Sequence, residues 1–235
     1  MHQLAPKRLG HVTAQDCADC PVRHVDLVRE DDPQLRERLI SRFSHIWCPA
    51  RGTLYRESAP ADAVHTVRSG LLKLVRYLPN GQERIVRLVH AGDTIGLESV
   101  LGEPYRHTAV ALSDVQTCSV PGALLQDRYE GHPQLAAVLL MEWQKSLDVA
   151  DRFLTELTTG TAQGRVARFL LYLNDKVPGN VCRIMSRDDI GALLGMTTET
   201  ASRVIADFRR RGVVEELPDG QFRCNVPALT RLSAD

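Results

Sequence analysis

The segment that constrains the fold most runs from Ser186 to Gly212 and has the sequence SRDDIGALLGMTTETASRVIADFRRRG. Ser186 is suited to cap the first turn of a helix, and Gly195 is suited to end that helix in the left-handed conformation. Thr197 or Thr198 can then cap a second helix. Apolar residues at spacings of three and four predict one buried face on each helix. Two short helices joined by a glycine turn indicate a helix-turn-helix, a motif whose second helix can enter the DNA major groove.

Polar residues at the start of the second helix are the candidate base contacts. Glu199, Ser202 and Arg203 lie off its apolar face, and Thr198 precedes them. An arginine can make two hydrogen bonds to guanine, and a glutamate can accept a hydrogen bond from the amino group of cytosine. The pattern is also compatible with an ordinary helical hairpin that carries solvated charges.

Charge and hydropathy limit the partners of the chain. The 29 Lys and Arg residues equal the 29 Asp and Glu residues, so no overall positive field favours nucleic acid. DNA affinity would need dimerisation and local clusters such as Arg209–Arg211. No apolar run reaches about 18 residues, so no membrane partner is expected. The N-terminus lacks the apolar core of a signal peptide, which favours a cytoplasmic location.

Short strands are predicted through residues 45–122. Polar and apolar residues alternate in LLKLVRYL and RIVRLV, with turn signals between them such as Pro79-Asn80-Gly81. Many short strands at regular spacing favour a sandwich or barrel. Residues 33–43 predict a short amphipathic helix that precedes the strands. After them, residues 132–157 predict a long helix whose spacing of four, three and four is typical of a two-helix seam, formed by Trp143, Leu147, Ala150 and Leu154.

Six cysteines in a chain without a predicted export signal are more typical of metal or redox sites than of disulfides. Cys17 and Cys20 have the spacing C-x-x-C, at which two thiolates can bind one metal ion or one cluster. A single C-x-x-C is a weak signal, and a pair of incidental thiols is the alternative. Cys48 lies on the first predicted strand of the β-rich region, and Cys118 ends the last one.

The segment around the second helix resembles the DNA-binding segment of the cAMP-receptor-protein/FNR (CRP/FNR) regulators. Glu199-Thr-Ala-Ser202-Arg203 matches the E-x-x-S-R signature of the FNR branch, and the resemblance extends from about Cys17 to about Val226. It implies that Glu199, Ser202 and Arg203 contact TTGAT half-sites of a palindrome in double-stranded DNA. It also implies a homodimer, with RNA polymerase as a protein partner.

The fold class implied by the resemblance is α+β. Residues 1–30 would be an N-terminal segment that contains cysteines, and residues 31–131 a sensor domain built as a β-roll like that of cyclic-nucleotide-binding proteins. Residues 132–158 would be the dimerisation helix. Residues 159–235 would be a winged helix-turn-helix, with its wing around Pro218-Asp219-Gly220.

The resemblance also implies a [4Fe–4S] cluster, which FNR-type sensors bind through C-x2-C-x5-C and a distant fourth cysteine. Cys17 and Cys20 match the first two positions and Cys118 matches the fourth, but Asp26 occupies the third. The first and last strands of this fold are neighbours, so Cys48 is expected to approach Cys118 and complete the set. Asp26 is the rival fourth ligand, and a half-buried strand cysteine is the alternative for Cys48.

Other functions are less well supported by the residues. Leu97 follows Gly96 where cyclic-nucleotide binders of this family have glutamate, and His107 occupies the arginine position, although Arg106 is adjacent. No cyclic nucleotide is therefore expected. Haem or nitric oxide, another small effector, or thiol oxidation remain alternative signals for the sensor domain. A cupin-like enzyme would need clustered histidines, usually as H-x-H, which this sequence lacks, so no enzyme is expected.

Overall fold

The computed structural model describes residues 5–18, 20, 33–129, 133–175, 181–183, 185–217 and 221–234. The chain forms two compact units, Met1–Arg76 with Val86–Leu147, and Tyr77–Ile85 with Asp148–Asp235. Across the described ranges, no helix has the length and apolar character needed to cross a membrane. Both units combine helices with sheet, in agreement with the predicted mixed fold class.

Two sheets form the β-rich region. In chain order its strands are β1 (Lys7–His11), β2 (Ser44–Cys48), β3 (Thr53–Tyr55), β4 (Ala63–Ser69), β5 (Leu72–Tyr77), β6 (Glu83–Val89), β7 (Thr94–Ile95), β8 (Thr108–Ala111) and β9 (Val115–Pro121). One sheet has the order β1-β2-β9-β4-β7, and the other has the order β3-β8-β5-β6. The predicted strands are confirmed, as is the pairing of the strand that contains Cys48 with the strand that contains Cys118.

Side chains alternate across the five-stranded sheet, so each of its faces covers a different core. One core lies between the two sheets and includes Cys48, Val67 and Val115. The other covers the opposite face, where Val64 and Val120 pack under helical residues. Those helices are α1 (Ala14–Ala18), α2 (Pro33–Ile40), a 3₁₀ helix (Leu97–Leu101), α3 (Gly122–Tyr129) and α4 (Pro133–Arg152).

The second unit contains the predicted helix-turn-helix. Its elements are α5 (Ala162–Asn174), β10 (Val181–Arg183), α6 (Arg187–Leu194), α7 (Thr198–Arg210), β11 (Val214–Glu216), β12 (Gln221–Cys224) and α8 (Val226–Ser233). Strands β10, β12 and β11 form a three-stranded sheet in that order, so the predicted wing pairs with one additional strand. The wing turn at 218–220 lies outside the described residues. A π-helical turn, Phe153–Leu157, continues α4.

Local hydrogen bonds explain why α6 and α7 begin and end where they do. The Ser186 side chain accepts from the backbone N–H of Asp189, and Gly195 ends α6 at φ 63°. Thr197, rather than Thr198, caps α7 by accepting from Thr200 N–H. Arg165 donates to the carbonyls of Leu194 at 2.7 Å and Gly195 at 3.2 Å. A cation here stabilises the negative end of the α6 dipole and fixes the turn before α7.

Candidate functional site

The predicted base-contacting residues lie on one exposed side of α7. Glu199 and Arg203 are exposed, Ser202 is half-buried, and Thr198 is exposed at the first helical position. The opposite side packs into the unit through its predicted apolar residues, Ala201, Val204, Ile205 and Phe208. Because the polar side begins at the helix N-terminus, α7 can present it to base edges in a major groove.

Two neighbours determine the charge and position of these side chains. Hydrogen bonds from its own backbone N–H and from the Thr197 side chain lower the pKa of Glu199, with a smaller contribution from Arg203. Glu199 is therefore a charged acceptor at neutral pH. The hydroxyl of Thr198 donates to Asp188 Oδ1 at 2.7 Å, which links the start of α7 to α6.

The predicted basic cluster at the end of α7 is partly neutralised. Arg209 pairs with Glu216 at 2.9 Å, whereas Arg210 and Arg211 each pair with Asp207 at 3.1 Å. Exposed ion pairs of this kind contribute little to stability, because solvent screens them. Phosphate groups can replace these carboxylates, but the three arginines do not form an uncompensated positive patch.

Three of the predicted cluster ligands lie near one another on the helix-covered face of the five-stranded sheet. Cys118 is half-buried on β9 and packs against the same apolar cluster as Cys17. The pKa of Cys118 is raised to about 12, first by burial and then by the thiols of Cys17 and Cys20. The structure therefore brings Cys17, Cys20 and Cys118 into electrostatic range of one another.

Aromatic side chains pack near Gly96, the residue that precedes Leu97 in the β-roll. Tyr55 stacks on Tyr105 with ring centroids 3.9 Å apart, and on His65 at 5.8 Å. Leu97 is buried, whereas Arg106 is exposed and lies 3.8 Å from Glu103. Arg106 thus does not take the position of an inward phosphate ligand.

Comparisons with known proteins agree with this geometry. A cyclic nucleotide-binding domain model matches residues 46–132, and a Crp-like helix-turn-helix domain model matches residues 164–233. The transcriptional activator FnrA of Stutzerimonas stutzeri is 31% identical over 169 residues, 69% of either chain. The nitrogen fixation regulation protein FixK of Azorhizobium caulinodans is 32% identical over 168 residues, 68% of this chain and 67% of FixK. The chain belongs to the CRP/FNR family of transcription regulators.

A solved CRP/FNR structure supports the same assignment. FixK2 from Bradyrhizobium japonicum is 28% identical, with a TM-score of 0.74 over 82% of this chain and 98% of that protein. The predicted family and its fold, a β-rich domain, a long helix and a helix-turn-helix, are therefore confirmed. Family membership alone does not identify the signal, which depends on the residues of the sensor domain.

The expectation that Cys48 approaches Cys118 is wrong, because of the register between β2 and β9. Cys48 pairs with Val115, whereas the partner of Cys118 is His45. An offset of three residues places the two cysteines on opposite faces of the sheet. Cys48 is fully buried in the core between the sheets, where burial raises its pKa to about 11. Asp26, the rival ligand, lies outside the described residues.

The thiols fit part of the donor set of an iron–sulfur cluster. Within the described part of the chain, no three His, Cys, Asp or Glu side chains converge closely enough to hold a single metal ion. A [4Fe–4S] cluster makes a different demand, because each thiolate binds a different iron and the donors are spread further apart. Cys17, Cys20 and Cys118 match this donor set in residue type, and Cys17 and Cys20 both lie within electrostatic range of Cys118.

Two residues beside the thiols were missed by the sequence analysis, His45 and Arg68. Arg68 Nη1 lies 2.8 Å from His45 Nε2 and 3.3 Å from Nδ1. Burial lowers the pKa of His45, Arg68 lowers it further, and Asp16 raises it. The alternation of β2 puts His45 and Cys48 on opposite faces. Only the register with β9 identifies His45 as the residue that shares a face with Cys118.

Burial of His65 predicts a loss of stability in acid. Burial lowers its pKa from 6.5 to about 4. Between these values the unfolded chain binds a proton that the folded chain does not, so stability falls as the pH drops below about 6.5. The full effect is about 3 kcal/mol by pH 4. Urea unfolding at pH 7 and pH 4.5 should show the stability difference between wild type and His65→Gln narrowing in acid. A constant difference would contradict this prediction.

Proposed function

We propose that this protein is a homodimeric transcription regulator that responds to oxygen through a [4Fe–4S] cluster at the N-terminal end of its sensor domain. The observation that carries the proposal is the grouping of Cys17, Cys20 and Cys118 on one face of the β-roll. Thiolates are the usual ligands of such clusters. When bound, the cluster supplies iron that oxygen can oxidise, and the chain must convert that change into altered DNA binding.

Double-stranded DNA is the proposed target, with a TTGAT-like palindrome as the site. Support comes from Glu199 and Arg203, which are exposed at the start of α7, and from Ser202 beside them. An arginine contact to guanine and a glutamate contact to cytosine both require a G·C base pair, and each TTGAT half-site contains one. RNA polymerase is the proposed protein partner, since relatives such as FnrA are named transcriptional activators.

A second copy of the chain is the proposed partner of α4. Leu140 and Leu147 are 65% and 58% exposed, and Leu154 in the π-helical turn is 64% exposed. Ala150 is half-buried, and Trp143 packs partly against the β-roll core. A palindromic site requires two recognition helices related by two-fold symmetry. Pairing of two α4 helices would bury the leucines and supply that symmetry.

The same apolar cluster connects the thiols with the dimerisation helix. Cys17 and Cys118 pack against a core that also contains Leu135 and Leu139 from the first half of α4. Cluster binding would fix α1 against the sheet and hold this core in one packing arrangement. Loss of the cluster would free α1 and alter the support beneath α4. The expected consequence is a shift from dimer towards monomer when oxygen is present.

Anaerobic purification tests the cluster directly. Protein prepared without oxygen should contain iron and acid-labile sulfide and show a broad visible absorption that air bleaches. Cys118→Ser should lower the iron content strongly, because it removes one of three gathered thiols. Cys48→Ser is the matched control and should leave the iron content unchanged, since Cys48 lies in the other core. Colourless, iron-free wild-type protein would contradict the cluster.

A thiol switch is the alternative that the same three cysteines suggest. The raised pKa of Cys118, about 12, disfavours attack by that thiol, so such a switch would join Cys17 and Cys20. Replacing both Cys17 and Cys20 by serine distinguishes a haem or small-effector sensor from a sensor that depends on these two thiols. A response that survives in this variant would assign sensing to another site in the β-roll.

A further inference from the structure

We propose that His45 supplies the fourth ligand of the cluster, in the place where the sequence resemblance leaves only Asp26. This inference rests on the proposed function above. His45 on β2 is the direct partner of Cys118 on β9. Opposite residues of an antiparallel pair place their Cβ atoms about 4.5–5.5 Å apart on the same face. The imidazole and the Cys118 thiol therefore lie side by side on the helix-covered face of the sheet.

The N-terminal thiols approach this pair from the other side. Asp16 is close enough to His45 to affect its pKa, and Asp16 directly precedes Cys17 in α1. Cys17 and Cys20 are close enough to Cys118 to affect its pKa in turn. His45 and Cys118 are thus cross-strand neighbours, and Cys17 and Cys20 lie within electrostatic range of Cys118. A histidine can replace a cysteine on cluster iron, as it does in Rieske centres.

The state of the imidazole suits a ligand. A guanidinium can only donate hydrogen bonds, so the ring nitrogen that faces Arg68 presents a lone pair, and this lone pair is what an imidazole offers to a metal. Neutral imidazole has one such lone pair, which accepts from Arg68 Nη1 at 2.8 Å. As a cluster ligand, His45 would turn this nitrogen from Arg68 towards iron, and both side chains would keep their charge.

Arg68 also carries a buried donor that needs an acceptor. Its Nε is buried and has no hydrogen-bond partner among the residues that the structure describes. A buried donor without a partner costs about 1–3 kcal/mol. Arg68 lies near enough to Cys118 to lower the pKa of that thiol. A cluster sulfide or ligand thiolate at this place would accept from Arg68, and the guanidinium charge would offset the negative charge of three thiolates.

Pulsed EPR on the full-length protein can identify the ligand. The protein is purified without oxygen from cells that incorporate ¹⁵N-histidine, and its cluster is reduced in the frozen state by irradiation. We expect a strong ¹⁵N hyperfine coupling in wild type and in Cys48→Ser. His45→Cys should retain iron and sulfide but lose the coupling, because a fourth thiolate replaces the imidazole. Circular dichroism of the metal-free variants checks that each has folded.

The outcomes separate this inference from the proposed function. A wild-type cluster without histidine coupling would overturn the role of His45 and leave oxygen sensing intact, and loss of that cluster in Asp26→Ala would then assign the ligand to Asp26. Coupling that persists in His45→Cys would also overturn the role of His45, because another histidine would then be the ligand. Wild-type protein that binds no iron under anaerobic conditions would overturn both proposals together.

Discussion

Arg203→Ala is expected to reduce affinity for a TTGAT palindrome by about 2–6 kcal/mol, which is roughly 30-fold to 20,000-fold in Kd. A good bidentate arginine–guanine contact is worth about 1–3 kcal/mol of discrimination, and a dimer makes the contact twice. Arg203 is exposed on the polar side of α7, and its Nη2 lies 3.4 Å from Thr200 Oγ1. That contact is near the limit for a hydrogen bond, so the side chain can turn to a base at little cost. Titration of a labelled duplex by fluorescence anisotropy measures the loss.

A second arginine on α7, Arg210, serves as a control that distinguishes the loss of a base contact from the loss of a positive charge. Arg210 is exposed near the end of α7 and pairs with Asp207, where a phosphate contact is expected. Arg210→Ala should weaken binding to all sequences about equally and reduce the slope of log K against log salt concentration. Arg203→Ala should instead relax discrimination at one base pair of each half-site. Equal losses on specific and scrambled duplexes for both variants would contradict base contact by Arg203.

The helix-turn-helix was predictable because its signals are local. Ser186 and Thr197 accept the backbone hydrogen bonds expected of caps, and Gly195 has the left-handed backbone expected of a helix end. Each of these interactions joins residues at most a few positions apart. The buried sides of α6 and α7 follow from the same 3.6-residue period, so their identification needed no knowledge of the rest of the molecule.

The thiol site was only partly predictable because its geometry depends on register. Pairing of the strands that hold Cys48 and Cys118 followed from the resemblance, but the offset between them did not. A shift by an odd number of residues moves a side chain to the other face of a sheet. For this reason His45, and not Cys48, lies beside Cys118. Arg68 lies on a third strand, β4, and its contact with His45 has no counterpart in local sequence pattern.

Leu147→Glu is expected to dissociate the proposed dimer. Full burial of a leucine is worth about 1.5–3 kcal/mol, and Leu147 is 58% exposed, so each copy contributes roughly 1–2 kcal/mol. The substitution removes this burial energy from both chains, about 2–4 kcal/mol in total. It also places two like charges in an apolar seam. The dimer Kd should rise at least about 30-fold to 700-fold. DNA affinity should fall with it, because a monomer makes only half of the contacts with a palindrome.

Met141→Glu is the control that makes this result specific to the seam. Met141 is 59% exposed and lies six positions before Leu147, which places it about 120° away around the helix axis. Sedimentation velocity on anaerobically prepared protein should therefore show a dimer for Met141→Glu and a monomer for Leu147→Glu. Dissociation of both variants would indicate a general loss of packing in α4. Two intact dimers would move the interface away from this helix, and the coupling between the thiols and α4 would then need another route to the DNA.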